Sequence, residues 1–112
     1  MRIKRFRHGC FSIDENGTTT KVVVMGGSSL GFDKSGRLPT AEILDVTSMQ
    51  WEDLPNLPFG VTGNKGVESV TGPYLGFSVA GKNRDSKSYE NRIIGLRKNQ
   101  NGNYYWQVVN NQ

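Results

Sequence analysis

Two apolar runs in this chain, Val22-Val23-Val24-Met25-Gly26-Gly27 and Leu75-Gly76-Phe77-Ser78-Val79-Ala80-Gly81, each end in a pair of small residues and are each followed by a tryptophan, Trp51 and Trp106. Gly27 and Gly81 stand 54 positions apart, and the tryptophans 55. A near-constant spacing of about 50 residues over short apolar runs reads as two copies of one unit of short strands. Such a unit cannot cover both faces of its sheet by itself, so each copy requires a packed neighbour.

The first copy reads strand by strand. Residues 8–13 form a short strand, and Asp14-Glu15-Asn16-Gly17 turns it, because Asn-Gly accepts the positive φ of a tight hairpin. Residues 18–25 are rich in β-branched side chains, and their continuous apolar end at 22–25 predicts a strand covered on both faces. The pair Gly26-Gly27 ends it, where a close backbone approach or a positive φ excludes larger residues. Residues 28–39 are a polar loop, 41–46 a third strand, 47–50 a turn, and 51–54 a fourth strand closed by Pro55 and Pro58. The second copy follows the same order: strands at 65–71, 74–80, 92–97 and 104–109, turns at 72–73 and 99–102, and a polar loop at 82–91. No segment keeps a helical period.

At 112 residues, 35% hydrophobic and 21% charged, the chain has the composition of a globular domain. No run approaches the roughly 20 apolar residues that cross a bilayer, and the basic start at residues 1–7 has no apolar segment behind it, so neither membrane nor secretion is expected. The single cysteine, Cys10, cannot close an internal disulfide and suits a reducing compartment, giving a cytoplasmic expectation. Asn16-Gly17-Thr18 fits a glycosylation pattern but reads more simply as a turn. The net charge of +4 and pI near 9.4 favour acidic partners in general. Arg2, Lys4, Arg5 and Arg7 alternate with Ile3 and Phe6 as a strand facing water would, and no aromatic platform accompanies them, so nucleic acid is not an expected partner.

The search for chemistry returns little. His8 is the one histidine, and with Cys10 it supplies two ligands where zinc or copper takes three or four, so no metal or other cofactor is expected and His8 reads as a packing residue. No serine sits in a nucleophile-elbow pattern, and the carboxylates do not converge by any sequence signature. Gly26-Gly27-Ser28-Ser29 lacks the lysine and following helix of a phosphate loop. Phe59, Tyr74, Phe77, Tyr104 and Tyr105 join the tryptophans as core candidates, with the tyrosine hydroxyls free to reach polar groups. No catalytic residue is assigned.

The residues resemble the kelch repeat. The first copy carries the pattern in order: Arg7-His8, the doublet Gly26-Gly27, Glu42 and Asp45 in Glu-x-x-Asp spacing, then Trp51 with Leu54-Pro55 behind it. The second departs: Ala80-Gly81 stands for the doublet, Ile93-Ile94-Gly95-Leu96 lacks the acid pair, and the last turn is longer, while Trp106 is kept. In the first copy Leu44 replaces the family's tyrosine. The resemblance covers about 7–109 and implies an all-β, kelch-type β-propeller fold with two four-stranded antiparallel blades, 7–58 and 62–109, after a short strand or tail at 1–6. It implies structural roles for Gly26, Gly27, Glu42, Asp45, Trp51, Gly81 and Trp106, with the two carboxylates held inside by backbone or arginine donors. Propellers close with roughly four to eight blades, so two blades are either part of a longer protein or one piece of a ring of copies.

In a four-stranded meander, alternate connections emerge on the same side, which places 28–39, 82–91 and 55–64 on one face. Its charges are mainly basic, and Lys34, Arg37, Lys82, Arg84 and Lys87 are the expected contacts for an acidic segment of another protein. The family resemblance points to a non-catalytic protein-binding module. The competing expectation is a piece of a propeller enzyme, an oxidase or sugar isomerase, or a carbohydrate-binding propeller.

Overall fold

The computed structural model describes residues 5–28, 38–69, 72–83, 85–86 and 88–109. The strands are β1 (Gly9–Glu15), β2 (Thr18–Met25), β3 (Ala41–Asp45), β4 (Gln50–Leu54), β5 (Val61–Thr62), β6 (Lys65–Glu68), β7 (Gly76–Val79), β8 (Lys82–Asn83), β9 (Ile94–Lys98) and β10 (Tyr104–Val108). One sheet has the order β1-β2-β3-β4 and the other β10-β9-β7-β6, with β5 and β8 as a separate two-stranded piece. All pairs are antiparallel, and neither four-stranded sheet closes on itself. The protein is all-β, and among the described residues no helix is long and apolar enough to cross a membrane.

Local chemistry explains where strands end. Asn16 and Gly17 both adopt positive φ, 53° and 80°, the signature of a tight hairpin turn, so Glu15 faces Thr18 directly. The Asp45 carboxylate accepts the Thr47 and Ser48 amides at 2.9 and 3.1 Å, which ends β3 one residue before the expected Val46 and lets Gln50 open β4. In the second sheet Asn99 takes this role, accepting from Asn101 and Asn103 at 2.9 and 3.0 Å. There β7 and β9 begin later than the sequence suggests. Tyr74 leaves the ladder to lay its ring beside Gly95, and Arg92 turns away to Glu90 and Phe59. The short β5 and β8 lie where the sequence reads as connection and loop.

The two sheets stack through opposite faces. In the first, the rows Phe11-Val23-Ile43 and Gly9-Met25-Ala41-Leu54 face inward. They meet Ile94 and Leu96 of the second, with Tyr104 and Trp106 packed at the margin. Glycine sets the closeness of this approach. A Cβ at Gly76 would fall on the Phe11 ring, and one at Gly66 on the Cys10 backbone. The Trp106 indole Nε1 donates to Pro55 O at 2.8 Å, tying the last strand of the second sheet to the exit of the first.

Counting along the ladders matches positions between sheets. Trp51 pairs with Leu44 as Trp106 pairs with Leu96, and Glu42 pairs with Val24 as Ile94 pairs with Ser78. Glu42 therefore corresponds to Ile94, and Arg5, four residues before β1, corresponds to Val61, four before β6. Arg5 and Glu42 form a buried ion pair at 2.8 Å, with side chains 0% and 1% exposed, and Arg5 Nη1 also donates to Gly26 O and Thr40 O, each at 2.9 Å. Val61 and Ile94 are each 1% exposed. One buried position pair is thus ionic in the first sheet and aliphatic in the second.

Breaking a buried pair strands a charge, whereas replacing both partners with well-packed apolar groups is often neutral. Arg5→Val alone is expected to cost about 3–5 kcal/mol, and Arg5→Val with Glu42→Ile to regain most of that loss. Denaturant unfolding of the three proteins checks this. A double variant as unstable as the single one contradicts the equivalence of the two positions.

Candidate interaction surface

The connections converge at one end of the stacked sheets because the two small-residue pairs turn the chain there. Gly26 and Gly27 have φ of 68° and 89°, and Ala80 and Gly81 have 61° and 98°. A Cβ on Gly27 would come within 2.8 Å of Phe6 O and the His8 side chain, so the first pair needs glycine for space as well as for φ. Gly27 N donates to Val61 O at 2.7 Å and Gly27 O accepts from Leu38 N at 2.8 Å, while Leu57 N donates to Pro39 O at 2.7 Å. The 55–64 connection and the described part of the 28–39 loop therefore meet at this end.

A continuous row of backbone and hydroxyl contacts crosses it. Phe6 and Ser28 exchange two backbone bonds of 2.9 and 2.8 Å, and Ser28 Oγ meets Thr62 Oγ1 at 2.7 Å. Thr62 pairs with Lys82, which bridges to Tyr89. Phe6 and Tyr89 stand at the two ends, 51% and 86% exposed, with the exposed Lys82 between them. Sequence reasoning missed both aromatics. Phe6 lay hidden in a basic stretch, and Tyr89 in a serine-rich loop with no periodic pattern.

Of the basic residues predicted for this face, Lys82 is exposed in β8, while Lys34, Arg37, Arg84 and Lys87 lie outside the described residues. Among the positions given structural roles, Gly26, Gly27 and Gly81 turn the chain. Glu42 is buried against Arg5, Asp45 is part-exposed at its turn, Trp106 bonds across the sheets and Trp51 is half-buried on the outer face of the first. His8 packs its Cβ on Gly27, and burial first, then the nearby Arg5 charge, lowers its pKa below the usual value.

The loop carrying Lys82 is held by Asn83, which is buried. Asn83 Oδ1 accepts from Asp85 N and Ser86 N at 2.7 and 3.2 Å, and its Nδ2 donates to Glu90 Oε2 at 2.7 Å. Arg92 grips Glu90 with two donors, Nε at 2.6 Å and Nη2 at 3.0 Å, and lies 4.4 Å from the centroid of the buried Phe59 ring. This fork draws the Glu90 carboxyl down to about 2, the Arg92 side-chain bond being the largest cause. Glu90 is thereby matched by Arg92, while Lys82 is exposed.

Among the described residues no group of three His, Cys, Asp or Glu side chains could hold a metal ion. Two cavities bordered by described residues are small and open. One of about 150 Å³ lies at the opposite, turn end between Lys21, Asp45, Glu52 and Tyr104, and one of about 180 Å³ lies beside Glu42, Asp53 and Asn56. A scan against protein-family models finds no match for the chain, and no curated protein matches it.

The Glu90 carboxyl is expected to titrate at about 2 in the folded protein and to move up toward 4.5 in Arg92→Ala, read by carboxyl-carbon NMR. Because the folded value is depressed, the pair's contribution to stability is complete above the ordinary value. It disappears as the pH falls from 4.5 through about 2, so the wild type loses more stability than Arg92→Ala across that window. A Glu90 titration near 4.5 in the wild type contradicts the bidentate geometry.

Proposed function

We propose that the chain is a pair of kelch-type β-propeller blades serving as a non-catalytic protein-interaction module, and that its loop end binds an acidic segment of a partner protein. The observation that carries this reading is the row from Phe6 through Ser28, Thr62 and Lys82 to Tyr89, which sets two exposed aromatics around a cation on a hydrogen-bonded base. Aromatic anchors beside a cation are the composition that binding surfaces favour over catalytic clefts. The order of motifs in the sequence supports the blade assignment. Lys34, Arg37, Arg84 and Lys87, from the two polar loops that flank this row in sequence, extend its positive charge in the proposal.

Immobilised peptides of matched length, acidic or neutral, test it directly. The chain is expected to retain on the acidic peptides with an affinity that falls as salt rises, and charge reversal by Lys82→Glu with Arg84→Glu is expected to weaken retention about tenfold or more. Tyr89→Ala is expected to weaken it without changing the salt dependence. Equal retention on acidic and neutral peptides, or binding indifferent to both charge reversals, contradicts the proposal.

A further inference from the structure

Among the described residues each sheet turns one face away from the stack, buried at its loop end in the first sheet where Arg5 covers Glu42 and part-exposed beyond it, and each carries the half-contact that the covered faces complete. Between the sheets, Trp106 Nε1 donates to the carbonyl of Pro55, the residue that follows β4, and Gly27 N donates to Val61 O, four residues before β6. Trp51 holds the ladder position that corresponds to Trp106, and Gly81 the position that corresponds to Gly27. Among the described residues neither the Trp51 indole N–H nor the Gly81 amide has an acceptor. The two donors belong to opposite ends of the stack: Trp51 to the outer face of the first sheet, Gly81 to the second.

The side chains on those faces are complementary in volume. Inside the stack a large residue, Phe11, sits over an empty position, Gly76. Their ladder counterparts on the outer faces are Val67 and Val22, two residues of middle size. Gly95, the counterpart of the buried Ile43, has its space filled by the Tyr74 ring, which packs tilted against Phe77 with ring centres 5.2 Å apart and has its centre 5.5 Å from the Arg97 guanidinium. The outer face of the second sheet is therefore aromatic, with Val67 44% and Tyr105 37% exposed. Trp51, Leu44 and Val22 are half-buried on the opposing one.

We infer that this face of the second sheet docks the Trp51 face of a second copy of the chain, head to tail, in the manner of the internal stack. In that contact the second copy's Trp51 packs against the outer face of the second sheet, and Gly81 N donates to the second copy's Arg5 O. One difference is built in: Cys10 stands where Gly66 stands internally, so the inner strands meet less closely between copies than within one. The contact is heterologous and propagates, and with roughly four to eight sheets to a closed ring it ends at two to four copies. The inference rests on the correspondence of the two sheets, takes its copy number from the propeller reading proposed above, and is independent of what the loop end binds.

Light scattering after size exclusion, on the full chain, tests it with two variants that block opposite faces, Trp51→Arg and Val67→Arg. The wild type is expected as one discrete closed species of two to four copies, and each variant as a folded monomer by circular dichroism. An equimolar mixture of the two is expected to form a dimer and nothing larger, because only one compatible pair of faces remains; a folding defect in either variant does not produce that result. A monomeric wild type overturns the inference, as does an oligomer that persists in both variants or a mixture that stays monomeric. Loss of acidic-peptide retention with the oligomer intact would fall on the functional proposal alone.

Discussion

The main-chain positions at Gly26 and Gly27 hold the architecture together. Gly26 N donates to Thr40 O, Gly26 O accepts from Arg5, Gly27 N donates to Val61 O, and Gly27 O accepts from Leu38. Three separate stretches of chain, at Arg5, at 38–40 and at Val61, are thus tied to two adjacent residues. Both must adopt positive φ, and a Cβ on either would meet backbone or side-chain atoms at 2.8 Å, so glycine is the residue that lets these stretches meet. Everything at the loop end inherits its position from this crossing, including the Phe6 to Tyr89 row.

The corresponding pair in the second half, Ala80 and Gly81, makes the same turn with fewer ties. Ala80 holds a φ of 61°, a conformation that costs a side-chain-bearing residue roughly 1–2 kcal/mol. The same asymmetry recurs in the core, where the first half uses the Arg5–Glu42 ion pair and the second uses Val61 and Ile94. An ion pair buried this deeply fixes geometry through its several directed bonds. An aliphatic pair fills the same volume without that directionality. The first half is thus specified by hydrogen bonds at its loop end and the second by packing against the first.

Much of the strand order was legible because β-branched runs, Asn-Gly and the small-residue pairs act locally. Residues 18–25 and the turn at Asn16-Gly17 fall where propensity and turn chemistry put them. The second sheet was less legible because tertiary contacts draw residues out of their ladders. Tyr74 goes to cover Gly95, and Arg92 goes to Glu90 and Phe59, and neither choice leaves a mark within a few residues of sequence. The candidate surface was legible as a set of converging connections but not as a set of side chains. Glu90 counts as a free acid in sequence and is held by Arg92 in space, while Phe6 joins Lys82 through two strand pairings and the Ser28–Thr62 hydroxyl contact between them. Gly66 and Gly76 carried no signal either, because their meaning lies in the Cys10 backbone and the Phe11 ring across the interface.

The central claim is that the two sheets stack by the insertion of Phe11 into the space that Gly76 leaves open. A double-mutant cycle with Phe11→Val and Gly76→Val, read by denaturant unfolding, measures it most directly. Gly76→Val is expected to cost about 1–3 kcal/mol by overpacking and Phe11→Val a similar amount by opening a cavity. The double variant, which reproduces the Val67 and Val22 combination found on the outer faces, is expected to lose less than the sum by about 0.5–3 kcal/mol. Additive losses would mean that the ring and the glycine do not share one space, and the stacking of the two sheets described above would be wrong.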